Sequence, residues 1–177
     1  MFNFRKASDS DIDIIEQFYE DIHSCEEKGE VTIGWARGVY PTRATAEAAL
    51  LRGDLFVMEV DGIPKGSAII NQIQVPEYRN GNWTYHPSCE EVMVLHALVI
   101  SPTSAGKGYG RKFVEFYERY ALENGCRYLR MDTNEKNTRA RRLYQTLGYR
   151  EVGIFPCDFN GIPSIRLVLL EKCLKNS

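Results

Sequence analysis

Two periods of apolar residues run along this chain, and the changes from one to the other mark out its elements. Residues 2–6 alternate and predict a short first strand. Ile12, Ile15, Phe18, Tyr19 and Ile22 fall three and four apart, which predicts a helix over 9–23, with Ser8 or Ser10 available as its cap. A loop holding Gly29, Gly34, Trp35, Gly38, Tyr40 and Pro41 follows, and then a second helix over 42–51 stopped by Gly53. Strands over 55–60 and 65–75 flank an Asp61-Gly62 hairpin turn. Residues 76–87 are polar and loop-like, whereas 91–100 are almost continuously apolar and read as a buried strand. A helix over 108–123 presents Phe113, Phe116, Tyr117, Tyr120 and Ala121 on one face, and Gly125 ends it. A strand over 127–132, a helix over 137–147 stopped by Gly148, and strands over 150–155 and 165–170 around Asn160-Gly161 complete the order. A strand meander leading into a strand-helix-strand unit predicts an α/β (α+β) fold: a mixed sheet with helices on both faces.

Composition narrows the function classes. With 177 residues, 44% hydrophobic and 26% charged, the chain is globular and long enough for one domain over 1–177, with no internal repeat or linker. The net charge of −2 excludes a protein that coats nucleic acid. Residues 1–90 carry 8 basic and 15 acidic side chains while 91–177 carry 14 and 9, so an anionic ligand suits the second half and a cationic one the first. The five cysteines are odd in number and lack CxxC spacing, which argues against a disulfide framework or a structural zinc site; no metal is expected. The N-terminus has no apolar segment of the signal-peptide kind and no run is long enough to span a bilayer, so a cytoplasmic protein is expected.

The segment Ser101-Pro102-Thr103-Ser104-Ala105-Gly106-Lys107-Gly108-Tyr109-Gly110-Arg111 links the buried strand to an amphipathic helix. Alternating glycines let backbone N–H groups close on an anion, and the helix N-terminus adds free donors and partial positive charge: a phosphate cradle. No Ser or Thr follows the Lys as a Walker loop requires, and Arg111 stands where a dinucleotide fingerprint has its third glycine. Asp132 does sit where a ribose-binding acid would, but only 45 residues follow it, too few for the rest of a dinucleotide domain. In the later helix, Ala140, Leu143, Tyr144 and Leu147 form an inward stripe, and Arg139, Arg141 and Arg142 point mostly elsewhere.

These two segments resemble the GNAT superfamily of N-acetyltransferases. The family pattern of hydrophobic-x-hydrophobic-x-Pro followed by (Gln/Arg)-x-x-Gly-x-(Gly/Ala) reads here Leu98-Val99-Ile100-Ser101-Pro102 and then Ala105-Gly106-Lys107-Gly108-Tyr109-Gly110. The second pattern is matched by Asn137, Ala140, Tyr144, Leu147, Gly148 and Tyr149. The resemblance implies a GNAT-like, mostly antiparallel sheet and acetyl-CoA as co-substrate. By that resemblance the pyrophosphate rests on the backbone from Gly106 to Arg111, the pantetheine arm pairs with Leu98, Val99 and Ile100 like an added half-strand, and Asn137 touches the pantetheine. A homodimer is a further expectation by resemblance. Ala105 departs from the pattern: it replaces the usual Gln or Arg, with Lys107 and Arg111 left to compensate by charge.

The implied reaction transfers an acetyl group to a primary amine by direct attack through a tetrahedral intermediate. Such an amine is mostly protonated at pH 7, so something must take its proton; the oxyanion needs N–H donors, and the departing thiolate needs a proton. In the family, the residue matching Tyr144 supplies that last proton. His96 lies on the buried strand with the parity of Val92, Val94, Leu98 and Ile100, and His96-Ala97-Leu98 resembles the arylalkylamine acetyltransferases, whose matching histidine works in a proton relay. A core histidine bonded to backbone is the competing reading, and Glu90, Glu91 or water are the competing bases. Trp35 and Tyr40 in one loop, Trp83 and Tyr85 in another, and Asp132 form the expected pocket for a small-molecule or peptide amine. The alternative from another class is a non-catalytic acyl-CoA-binding module, which needs neither Tyr144 nor His96.

Overall fold

The computed structural model describes residues 1–175. Seven strands form one sheet in the order β1-β2-β3-β4-β5-β7-β6: β1 Phe2–Lys6, β2 Leu55–Val60, β3 Ile63–Asn71, β4 Val92–Ile100, β5 Tyr128–Asn134, β6 Arg150–Phe159 and β7 Ile162–Cys173. Only β4 and β5 run parallel, with the single helix α3 (Tyr109–Glu123) as the crossover between them; the other neighbours are antiparallel. The expected mixed sheet with helices on both faces is present.

Two helices cover each face. On one side α3 (Tyr109–Glu123) and α4 (Thr138–Thr146) bury Phe113, Val114, Tyr117 and Tyr144 against Met58, Ile70, Met93, Leu95, Leu129 and Met131. On the other, α1 (Ile12–Glu27) and α2 (Arg43–Arg52) pack Ile15, Phe18, Tyr19 and Ala49 against Leu55, Val57, Ile69 and Val99. Further along that second face Tyr78 and Val152 close over Val92, Val94, Leu167 and Leu169. Leu129 and Met131 point to the first face, so Arg130 and Asp132 point to the second.

Several bounds differ from expectation, each for a local reason. Residues 9–11 form a 3-10 turn capped by Ser8 and Asp11, and the helix beyond it runs to Glu27 because Glu26 is tied to the following loop. The third strand ends at Asn71, where the Asn71 carboxamide oxygen accepts the Ile73 N–H. The expected loop over 76–87 holds a 3-10 turn at Pro76–Asn80. The last hairpin is longer than alternation indicated, reaching the Asn160-Gly161 turn through register shifts at Glu151/Gly153 and Cys157/Phe159. Among the described residues no helix is long and apolar enough to cross a membrane.

Candidate active site

The site begins where the sheet opens. Pairing of β4 with β5 stops at Leu95↔Met131, yet β4 continues to Ile100 and β5 to Asn134. Beyond Asp132 the edge of β5 remains bonded to β7, and β4 remains bonded to β3. The two parallel strands therefore splay, and a cavity of about 760 Å³ passes through the gap. Residues from both sheet faces line it: Tyr144 and Leu143 from the α4 side, Trp35, Tyr40 and Ile22 from the α1 side.

A bulge in β4 decides which side chains look which way. Three steps on β4, from His96 to Val99, face two steps on β3, from Ile69 to Ser67, and the extra residue, Ala97, has a φ of 48°. Before the bulge Met93 and Leu95 face α3; after it Leu98 and Ile100 do. The expected shared parity of His96 with Leu98 and Ile100 is thus corrected. His96 shares the face of Val92 and Val94, and the extra residue sends Leu98 and Ile100 to the opposite side.

At the α3 end lies the anion cradle. Gly106 and Gly108 have φ of 79° and 75°, a conformation that favours glycine, and Cβ atoms there would meet nothing within 4 Å. Gly108 is the N-cap of α3, and the first backbone bond back to it comes from the Lys112 N–H. Among the described residues, none of the backbone N–H groups from Gly106 to Arg111 has a partner. A row of unpaired donors stands at the positive end of a fifteen-residue helix, an arrangement whose chemistry suits a phosphate group. Ala105, Gly106, Gly108, Tyr109, Gly110 and Arg111 line the cavity; Lys107 is exposed and does not. Leu98, Val99 and Ile100 line it along the open edge of β4.

Tyr144 is buried, with its ring edge-on to Tyr149 at 6.0 Å. Its hydroxyl makes no hydrogen bond to a described residue and opens on the cavity, unlike the enclosed, unpartnered hydroxyls of Tyr19 and Tyr149. Burial, and the charge of Asp132 after it, raise the Tyr144 phenol, so it keeps its proton at neutral pH. Asn137 caps α4 by accepting the Ala140 N–H at 3.2 Å, and it also lines the cavity.

Two titratable groups stand on the α1 side of the gap. His96 Nε2 is 3.0 Å from Asn71 Oδ1, and burial pushes the imidazole down to about 4. Asp132 accepts the Tyr78 hydroxyl on Oδ2 at 2.7 Å, and burial pushes it up to about 6. Trp35 and Tyr40 meet edge-on at 6.1 Å in a loop that the Glu26 carboxylate holds by accepting the Ile33 and Gly34 N–H groups. The loop also rests on the end of β5: a Cβ on Gly34 would fall 2.3 Å from the Asn134 side chain.

The second expected aromatic loop lies outside the cavity, which corrects its reading as pocket wall. Trp83 donates its indole N–H to the Tyr78 carbonyl and lies under the Arg130 guanidinium at 3.9 Å. Tyr85 is 40% exposed and pairs with Tyr128. Glu90 and Glu91, the competing bases, are exposed in a turn before β4, at the far end of that strand from the gap. Three features escaped the sequence reading. Tyr78 and Asn71 carry no local signal for the partners they find. Phe159, Ile162 and Ile165, which also line the cavity, were signalled only by the Asn160-Gly161 turn.

Comparison with known proteins agrees with this geometry. Residues 12–149 match the acetyltransferase (GNAT) family. The aminoglycoside N(6')-acetyltransferase type 1 of Salmonella typhimurium is 26% identical over 98 residues, 54% of this chain and 61% of that one. This chain spans about half the length of the curated relatives it matches. A GNAT-family acetyltransferase from Streptococcus agalactiae superposes with a TM-score of 0.79 at 23% identity, over 99% of this chain and 96% of that one. The acetyltransferase yncA from Salmonella typhimurium, solved with acetyl-CoA, does so with a TM-score of 0.68 at 20% identity, over 100% and 96%. These two likenesses speak to the fold. The family match, which covers most of the length and both motifs, settles the kinship: the chain belongs to the GNAT family of acetyltransferases.

Proposed function

We propose that this protein transfers the acetyl group of acetyl-CoA to a primary amine by direct attack through a tetrahedral intermediate. One observation carries the reading. A single cavity passes through the sheet with unpaired N–H groups from Gly106 to Arg111 at one end and the free Tyr144 hydroxyl beside the gap. In this reading the cradle holds the pyrophosphate, and the open edge of Leu98, Val99 and Ile100 pairs with the pantetheine arm as an added strand does. Asn137 lies beside that arm, and the β4 backbone near Leu98 and Val99 receives the oxyanion. Tyr144 gives its proton to the departing thiolate. The amine enters from the Trp35 and Tyr40 side, where the lining is aromatic and apolar apart from a few polar groups.

Calorimetry tests this first. Acetyl-CoA is expected to bind with a dissociation constant of order micromolar, about −8 kcal/mol, and NAD not at all. Thiol release across a panel of primary amines then tests transfer. No heat up to about 1 mM acetyl-CoA removes the reading. Binding without release on any amine leaves the acyl-CoA-binding module.

A further inference from the structure

The β6–β7 hairpin ends in a bulge that gathers three apolar side chains. Cys157 pairs with Ile165 and Phe159 with Ile162, so two steps on β6 face three on β7. Ser164, in the longer stretch, has a φ of 56°, and its N–H donates to Asp158 Oδ1 at 2.8 Å. Plain alternation would send Ile162 and Ile165 to opposite faces; the bulge returns Ile162 to the face of its partner, Phe159. Phe159 and Ile165 pack against the cluster of Val92, Val94 and Leu167, on the sheet's second face. All three side chains line the cavity.

The α1 side supplies Trp35, Tyr40 and Ile22 to the same cavity. The loop that carries the two aromatics meets the hairpin tip: a Cβ on Gly161 would fall 3.1 Å from Val39 Cγ1. Trp35, Tyr40, Phe159, Ile162 and Ile165 are each only partly buried, which leaves apolar surface for a ligand to cover. Charge is sparse by comparison. Glu30 and Asp132 are the acidic side chains among the lining residues, and Glu30 is exposed. The basic ones, Arg111, Lys136 and Arg139, are exposed as well and belong to α3, to α4 and to the turn before α4. A ligand with several ammonium groups would set most of them against hydrocarbon, at a cost in lost hydration that nothing there offsets.

We propose that the acceptor is a singly charged primary amine on a bulky apolar body, and that Phe159, Ile162 and Ile165 select it by packing against that body. The inference rests on the acetyl-transfer reading above and adds the class of substrate. A pocket of this kind binds by covering hydrocarbon and leaves orientation to a few polar groups. It discriminates by what each acceptor loses there: a small polar amine leaves the apolar wall uncovered, and a polycation loses water from charges that find no partner.

The test compares kcat/KM by thiol release for cyclohexylmethylamine, 2-phenylethylamine, ethanolamine, spermidine and kanamycin. The wild type is expected to favour the two apolar amines over each of the other three by about tenfold or more, the scale on which hydrophobic pockets discriminate. Phe159→Ala is expected to lower the ratio of cyclohexylmethylamine to ethanolamine by about tenfold, whereas a merely structural role moves both rates together and leaves the ratio unchanged. Ile165→Glu is expected to shift preference toward spermidine and kanamycin, because it sets a carboxylate in the apolar wall. Where a variant no longer binds acetyl-CoA in calorimetry, the wild-type ranking decides alone. Ethanolamine, spermidine or kanamycin turned over as fast as the apolar pair, or an unchanged ratio in Phe159→Ala, overturns the assignment and leaves acetyl transfer standing. If the wild type fails to bind acetyl-CoA, or binds it and releases no thiol with any of the five amines, the parent reading falls and takes this one with it.

Discussion

His96 Nε2 and Asn71 Oδ1 lie 3.0 Å apart on the face of the sheet opposite Leu98 and Ile100. The Asn71 amide is fixed from both ends. Its Nδ2 donates to Asp54 Oδ2 at 2.9 Å, itself held by Arg52, and its Oδ1 accepts the Ile73 N–H. Oδ1 is thereby the acceptor, so the His96 ring donates from Nε2 and keeps its lone pair on Nδ1.

From this pair follows an acid-stability prediction in two opposed parts. The unfolded chain protonates histidine near 6.5, but folded His96 resists until about 4. Its contribution is full above 6.5 and falls by about 3 kcal/mol as pH drops to 4. Asp132 acts in the other direction: the folded state takes its proton at about 6, the unfolded state only near 3.8. Stability therefore rises by about 3 kcal/mol over nearly the same interval. Urea melts at pH 7 and 4.5 are expected to show little net change from these two groups in the wild type, a loss on acidification in D132N, and a gain in His96→Ala. Equal slopes in the two variants would sink the argument. His96→Ala is also expected to leave the acid limb of the rate profile in place, because a ring held near 4 does not titrate there.

Tyr144→Phe removes a hydroxyl that bonds to no described residue, so stability and acetyl-CoA affinity are expected to hold. Turnover is expected to fall about 100-fold, the lower range for a positioned general acid. Calorimetry and single-turnover thiol release separate the two. Unchanged turnover takes Tyr144 out of the acid role.

Two glycines make opposite predictions about cause. At Gly108 a Cβ meets nothing, so Gly108→Ala costs only the left-handed backbone, about 1 kcal/mol, and weakens acetyl-CoA binding as the cradle relaxes. At Gly66 a Cβ would lie 2.7 Å from the Val99 carbonyl oxygen, beside the bulge. Gly66→Ala is expected to cost about 1–3 kcal/mol in chemical denaturation through overpacking, with acetyl-CoA affinity lowered because β4 is displaced. A Gly66→Ala protein as stable as the wild type would show that β4 shifts freely.

Ala105 lines the cradle with a methyl group where relatives by motif carry Gln or Arg. Ala105→Gln adds a donor at an exposed position and is expected to tighten acetyl-CoA about fivefold, the worth of one net hydrogen bond of about 1 kcal/mol. No gain in calorimetry would mean that the backbone donors already saturate the phosphates.

By itself the sequence determined what short-range chemistry controls. The periods of the helices, the Asp61-Gly62 and Asn160-Gly161 turns and the left-handed glycines 53, 106 and 108 all act within a few residues, and each was legible. The two motifs placed the cradle and Tyr144 for the same reason, since both are local to one helix N-terminus and one helix face. Tertiary structure alone decided the rest. The run from Val92 to Ile100 is apolar except for His96 and looks alike on either side of Ala97, so only pairing with β3 revealed the bulge that turns His96 away from Leu98. Trp83 and Trp35 are equally aromatic, but one is held under Arg130 and the other is left at the cavity wall. The acidity of Asp132 depends on burial and on Tyr78, 54 residues away in the chain. Such contacts are set by how strands register and where the sheet splays, and neither quantity is carried by any single stretch of sequence.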